Sequence, residues 1–296
     1  MNQSPMFYLN INRRKRLSMI QLQVYEDISH FKKDVAPILE MNEQKNNLLL
    51  GVLQFAESPL FMAVAKQNEK IALIFLQTEQ KQMIVATCEG SQEVIKEIAK
   101  QLTKVYPDIP GLIGEKRIVK QLADEIAQLE QKKLSIGMNQ GVYELKQVKK
   151  RWDEHGVFRQ VNSGELPLIG KWIYQFCEDV HLPTTEEKAN QTASTLVSTN
   201  RLFGWEVDGR LVSVAAITRP TKSNITVNFV YTPKEERKKG YASNCVAALS
   251  QRMLNQGYKT TTLYTDLANP TSNKIYQEIG YEPIMESVLI FLEPIK

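Results

Sequence analysis

Arg237-Lys238-Lys239-Gly240-Tyr241-Ala242 is the stretch of this chain whose residue types and spacing best suit chemistry. It follows Ile225 to Tyr231, a β-branched and aromatic run that predicts a buried strand. It leads into Ala242, Val246, Leu249 and Met253, which share one face of a predicted helix closed by Gly257. A glycine turn at a helix start leaves several backbone N–H groups unpaired and pointing one way, and the helix dipole adds partial positive charge. That combination binds anions, phosphates above all. Gly240 has no side chain to keep a ligand off the backbone, and Ala242 keeps the next position small. Arg237, Lys238 and Lys239 are expected to supply mobile positive charge nearby. The plainer alternative is a solvated basic loop on an ordinary α/β domain.

A second group of residues follows in order. Thr260 to Tyr264 predicts another strand, and then come Asn269, Tyr276 and Gly280-Tyr281. Arg237-x-x-Gly240-x-Ala242 resembles the pyrophosphate loop of the GNAT superfamily of N-acetyltransferases. Asn269 and Tyr276, followed by Gly280-Tyr281, resemble the later signature of that superfamily. Either half alone is a weak motif; both in order on strand–loop–helix–strand are more specific.

The resemblance implies acetyl-CoA as cofactor and a set of residue roles. Val230, Tyr231 and Thr232 would pair through backbone groups with the pantetheine arm. The N–H groups of Lys238, Lys239, Gly240, Tyr241, Ala242 and Ser243 would cradle the pyrophosphate. Asn269 would hydrogen-bond the pantetheine region, and Asn273 would either cap a helix or touch the cofactor. Tyr276 would be the general acid, since a phenol of pKa about 10 can protonate a departing thiolate and be regenerated. Without the motif, Tyr276 would be a core aromatic facing Gly280-Tyr281. The attacking amine must be neutral, so a base or water must take its proton. Some GNAT enzymes carry a Glu on the strand before the loop. Here that strand has Asn228 and no carboxylate, which leaves Glu206, Glu178, Asp266 or a water relay.

The elements that must position these residues fall into two halves of a 296-residue chain. Predicted strands cover 19–24, 61–65, 71–77, 82–87 and 141–148 in the first half. Predicted helices there cover 28–39, interrupted or ended near Pro37, then 43–54, 92–105 and 115–133. Pro107 to Gly111 (PDIPG) is expected to be a turn. The second half predicts a strand at 158–161 and helices at 166–180 and from Thr184-x-x-Glu187, a capping box, to 198. Strands at 202–207 and 211–218 follow, joined by Asp208-Gly209, and a last strand at 287–292. The first half thus repeats the GNAT order, yet Thr87-Cys88-Glu89-Gly90-Ser91 lacks the Arg-x-x-Gly-x-Ala pattern, and Glu89 would repel a phosphate. Ile109 to Gly114 before a helix, Tyr143-Glu144-Leu145, and Gly156 to Arg159 before the helix of Trp172 and Phe176 also resemble two-domain GNAT proteins.

The bulk composition excludes little but bounds the partners. The net charge of +4 comes from Met1–Ser18, whose four basic residues face no acid; without them 33 Lys+Arg balance 33 Asp+Glu. The folded body is therefore not expected to bind nucleic acid. No apolar run approaches a membrane span, and no signal-peptide pattern opens the chain. Cys88, Cys177 and Cys245 are far apart and odd in number, which suits a reducing cytoplasm and no metal.

The expected class is α/β (α+β), with two tandem GNAT-like domains, each a mixed, mostly antiparallel sheet flanked by helices. Residues 1–18 would be a basic tail, 19–150 a degenerate GNAT-like domain, and 151–296 the acetyltransferase domain. The function expected is acetyl transfer from acetyl-CoA to a primary amine on a small molecule or peptide. The alternatives are a non-catalytic acyl-CoA sensor and a nucleic-acid-associated protein using the tail; homo-oligomerisation stays open.

Overall fold

The computed structural model describes residues 19–152 and 155–295; the tail 1–18 and Asp153-Glu154 of the expected junction lie outside them. In the first half the order is β1 (Ile20–Val24), α1 (Ile28–Glu40), α2 (Glu43–Phe55), β2 (Phe61–Gln67), β3 (Lys70–Gln77), β4 (Met83–Thr87), α3 (Ser91–Val105), β5 (Gly111–Glu115), α4 (Lys116–Glu130) and β6 (Lys132–Leu145). The second half repeats it. It runs β7 (Val157–Gln160), α5 (Leu166–Asp179), α6 (Glu186–Ser198), β8 (Leu202–Val207), β9 (Arg210–Thr218), β10 (Asn224–Tyr231), α7 (Tyr241–Asn255), β11 (Thr260–Asp266), α8 (Pro270–Ile279) and β12 (Glu282–Pro294).

All twelve strands join one sheet, ordered β1-β2-β3-β4-β5-β12-β6-β11-β10-β9-β8-β7. Only the β4–β5 and β10–β11 pairs are parallel. The last strand of each half is exchanged: β6 pairs with β11 of the second half, and β12 pairs with β5 of the first. These two long strands also pair with each other along the middle of the sheet, from Glu282↔Glu144 to Pro294↔Lys132. The division of the chain at 150/151 therefore divides the sequence but not the sheet.

Strand alternation sorts the helices onto two faces. Ile84 and Ala86 face α1 and α2, while Met83 and Val85 face α3 and α4. Val214, Ala216 and Tyr231 face α5 and α6, while Ile225, Val227 and Leu263 face α7. No helix among the described residues is long and apolar enough to cross a membrane.

Four local expectations change. α1 continues through Pro37 to Glu40; the carbonyl that Pro37 leaves unpaired belongs to exposed Lys33, where water can reach it. Gly111, predicted in a turn, instead opens β5, which periodicity does not reveal because two of its five residues are glycine. A Cβ on Gly114 would lie 2.2 Å from the Val85 carbonyl oxygen, so the strand needs the gap. α4 stops at Glu130, and the following residues pair with β12 to make β6 far longer than expected. The cap of α6 is Thr185, whose hydroxyl accepts from Lys188 N at 3.2 Å, one residue beyond Thr184.

Candidate active site

The site is built around the point where β10 and β11 part. Parallel pairing covers Asn224–Val227 against Thr260–Leu263 and stops there. Beyond it β10 is bulged against β9 between Asn228 and Tyr231, with Phe229 in the left-handed region at φ 44°. A bulge bends its strand and increases twist, so the two strands open like a V. Tyr231 packs with α5 and its hydroxyl donates to Gln175 Oε1 at 3.1 Å; half-buried Val230 packs on the α7 side. The Tyr231 carbonyl accepts from Ser213 Oγ and the Thr232 carbonyl from Arg237 Nε, at 3.2 and 2.9 Å. The Thr232 carbonyl, beyond the end of β10, retains a second lone pair for a ligand.

From Thr232 the chain runs through nine residues to Gly240, which caps α7 with φ 83° and ψ −1°. Among the described residues, none of the backbone N–H groups from Lys238 to Ser243 meets a protein acceptor; the first bond of α7 is Asn244 N to Gly240 O. Six successive donors are thus left for something else. A Cβ added to Gly240 would meet no atom within 4 Å, so the approach is open. The first turn of α7 holds no acidic side chain. Lys150, from the junction between the halves, instead donates Nζ to Ser243 Oγ at 2.8 Å. A cation beside a positive helix end is unfavourable by itself; an anion in the loop reverses that sign.

The basic side chains divide. Arg237 is not the mobile charge that its position suggests. Its Nη2 is 2.6 Å from Asp179 Oδ2 at the end of α5, and its guanidinium lies 5.8 Å from the centre of the Tyr231 ring. The Arg237 hydrogen bond holds the Asp179 carboxyl below its ordinary pKa. Arg237 therefore clamps the loop to α5 and to the end of β10. Lys239 pairs with Glu236 at 2.8 Å. Lys238, exposed with φ 65°, has no such partner among the described residues.

The later residues also acquire definite places. Asn269 is the N-cap of α8, its Oδ1 accepting from Ser272 N at 3.0 Å, so its side chain is already engaged. Asn273 does not cap a helix: its Nδ2 donates to the Asp266 carbonyl at 3.2 Å, closing the end of β11. Its Oδ1 is buried with no partner, an acceptor waiting for a donor. Tyr276 lies half-buried on α8 in T-shaped contact with Tyr281, ring centres 6.1 Å apart. Burial pushes its phenol above the ordinary range, so it stays protonated at neutral pH. Tyr281 is core: its hydroxyl meets Ser250 Oγ at 2.9 Å and Thr261 Oγ1 at 2.8 Å, and burial pushes it up to about 12.

The candidate bases are occupied or exposed. Glu206 and Glu165 hold Arg159, with Glu206 Oε2 2.5 Å from its Nε. Asp266 Oδ1 accepts from Ala268 N at 2.8 Å, and Glu178 is exposed at the end of α5. Asn228 is exposed on β10. The sequence reading missed Lys150, which stands at the expected 150/151 domain boundary; nothing in the local pattern separates it from Lys149.

Residues 169–281 match the model of the acetyltransferase (GNAT) family. That match lies wholly within the second half. No curated protein matches the chain by sequence. Solved structures share the fold along most of both chains. An acetyltransferase of the GNAT family from Colwellia psychrerythraea has TM-score 0.61 and 14% identity, over 92% of this chain and 99% of its own. A GCN5-related N-acetyltransferase from Sphaerobacter thermophilus has TM-score 0.62 and 13% identity, over 94% and 97%. A tandem GNAT protein of the clavulanic acid biosynthesis pathway, solved without AcCoA, has TM-score 0.54 and 11% identity, over 93% and 98%. The GNAT-like arrangement thus extends to the first half, and the fold is a tandem one.

In that first half a cleft of about 720 Å³ opens past the β4–β5 pair. Three acids, Glu89, Glu115 and Glu286, and four bases, Lys45, Lys116, Arg117 and Lys120, line it, and Lys116 is tied to Glu286 at 2.5 Å.

Proposed function

We propose that the protein is an acetyl-CoA-dependent N-acetyltransferase that moves the acetyl group directly to a primary amine. Residues 151–296 would hold the chemistry, and 19–150 would lend β6 to their sheet. The observation that carries the reading is the run of six unpaired N–H groups at the α7 N-terminus, with Lys150 beside it. Such a run suits a pyrophosphate.

Acetyl-CoA, when bound, supplies the acyl thioester and the leaving sulfur. The N–H groups of Lys238 to Ser243 hold the pyrophosphate, with Lys150 and Lys238 adding charge. Backbone groups of Val230, Tyr231 and Thr232 line the pantetheine arm along the open edge of β10. Asn273 Oδ1 accepts from an amide of that arm; Asn269 fixes the turn that presents it. The amine nitrogen bonds to the acyl carbon as the carbon–sulfur bond breaks. Tyr276 gives its phenolic proton to sulfur and recovers one from the amine through water. Water fills that last role in this reading because Glu206 and Asp266 already serve other bonds. Holding both reactants at the opening of the V supplies much of the remaining rate. Three free cysteines suit a reducing, cytoplasmic setting.

The lack of a carboxylate on β10 favours one second reading, a non-catalytic acyl-CoA sensor. A panel of primary amines with acetyl-CoA, followed by thiol release, separates the two. Release with at least one amine is expected. Tight acetyl-CoA binding without release from any amine would leave the sensor; absence of binding would remove both.

A further inference from the structure

Arg219 is the charge in this protein that its surroundings do not explain. It follows β9 with left-handed backbone, φ 48°. Its side chain crosses to α2, filling the space that Gly51 leaves: a Cβ there would lie 2.4 Å from Arg219 Cγ. The guanidinium carbon sits 5.0 Å from the centre of the Tyr264 ring. Its Nε is buried without a hydrogen-bond partner, and among the described residues no carboxylate pairs with the guanidinium.

The polar groups around it are satisfied by one another. Asn47 on α2 accepts from Thr226 Oγ1 at 3.2 Å, and Thr226 meets Thr262 at 3.1 Å. Glu43, the acid on the same helix, is engaged through one oxygen: its Oε2 accepts from Thr221 Oγ1, Ser223 N and Ser223 Oγ at 2.6, 2.9 and 2.9 Å. Burial alone would raise its pKa, but these donors outweigh burial and lower it. Arg219 is thus a half-buried cation whose Nε is shut off from solvent, with a planar fork of donors and nothing anionic among the described residues to receive them.

Its position gives the orphan charge a purpose. Tyr264 is the first residue of β11 beyond the parallel pairing with β10. The Arg219 backbone lies beside the paired part of β10, and its guanidinium reaches back to Tyr264 at the vertex of the V, on the sheet face opposite α7, where α2 of the first half borders the second.

We propose that Arg219 binds the carboxylate of the acceptor, which is a small amine bearing a carboxyl group within a few bonds of its nitrogen, as in an α-amino acid. This rests on the transferase reading above. An arginine fork matches a carboxylate bidentately. A carboxylate held there keeps the amine of a short acceptor at the vertex. Gly51 lets α2 pack on the Arg219 stem, so the first half would contribute to substrate choice.

The test compares amino acids with the amines left when their carboxyl is removed: glycine with methylamine, alanine with ethylamine, phenylalanine with phenethylamine. Aminomethylphosphonate, a phosphonate counterpart of glycine, is run beside them. Acetyl-CoA binding is measured in parallel on every variant. The wild type is expected to prefer acids over amines in kcat/KM by roughly a hundredfold, the range for losing one partner of a desolvated charge pair. Arg219→Met, which keeps the stem over Gly51 and Tyr264, should reduce that preference to within about threefold through KM. Arg219→Lys should retain part of it, and both should bind acetyl-CoA as the wild type does. Equal use of acids and amines by the wild type, or an acid preference that survives Arg219→Met, overturns the proposal. So does acetyl-CoA binding with no turnover of any pair. A phosphonate preferred to glycine overturns the carboxylate assignment. Failure of the wild type to bind acetyl-CoA removes the transferase reading first, and this proposal with it.

Discussion

Two glycines in this protein stand in the same backbone conformation and open onto opposite situations. Gly90 caps α3 with φ 80° and ψ 2°; Gly240 caps α7 with φ 83° and ψ −1°. Each follows the strand that forms the parallel pair of its half. Among the described residues, the first half satisfies three of the six corresponding donors internally, those of Cys88, Ser91 and Glu93, and leaves those of Glu89, Gly90 and Gln92 without a protein acceptor. Its loop has three residues, Cys88 N bonds to Ala72 O, and Ser91 N bonds to Cys88 O. Glu93 places a carboxylate in the first turn of α3, where it also accepts from Gln67 Nε2 at 2.9 Å. A Cβ on Gly90 would sit 3.1 Å from Gln67 Oε1. The second half leaves its helix end unsatisfied. Nine loop residues separate strand from helix, six N–H groups find no acceptor, and a lysine stands where an acid would help. The corresponding helices differ too: α8 carries Tyr276, whereas α4 has no tyrosine. One fold can therefore neutralise its own helix dipole or reserve it for a ligand, and a few side chains decide which.

The largest effect expected is on chemistry. Tyr276→Phe should lower kcat by roughly 10²- to 10⁴-fold, the usual worth of a general acid. Acetyl-CoA affinity should stay as it is, because the phenol is not part of the loop. Unchanged kcat in steady-state assays would return Tyr276 to the core. The next effect is on binding. Lys150→Met should weaken acetyl-CoA by about tenfold, the scale of one charge-assisted hydrogen bond. The same change at Lys116 in the first half should alter nothing, and equal losses at both positions would erase the contrast between the halves. The smallest effect is on stability. Asp179→Asn removes the anchor of Arg237 and should cost up to about 1 kcal/mol at neutral pH, as partly exposed pairs do. Asp179 has a lowered pKa in the folded protein, so its contribution is present above the ordinary carboxylate range and lost as pH falls through the lowered value. Denaturant melts of both proteins should therefore converge in acid; a gap that persists there would assign the cost to packing.

What could be read from the sequence was whatever backbone conformation demands of particular residues. Gly240 and the small Ala242 are required by the loop itself, so the motif located the nest without any side-chain geometry. Amphipathic periods located the helices in the same way, since their buried faces repeat along the chain. Two kinds of feature stayed hidden. β5 is held by close approach of its neighbours at Gly111 and Gly114, and glycine carries no strand signal. β6 and β12 reach full length only by pairing with each other across more than a hundred residues. The site divides likewise. Arg237 was found as a charge, but its bond to Asp179 depends on how α5 packs. Lys150 and Arg219 are ordinary in sequence and exceptional only for what stands beside them, or does not.

The central claim is that the open helix end of the second half holds the cofactor phosphates and the closed one of the first half does not. The most direct measurement titrates acetyl-CoA calorimetrically into the wild type, Gly240→Glu and Gly90→Glu, each first checked for fold by circular dichroism. The account predicts one site per chain, abolished by Gly240→Glu and kept in Gly90→Glu. Undiminished binding by Gly240→Glu, or binding lost only in Gly90→Glu, would contradict it.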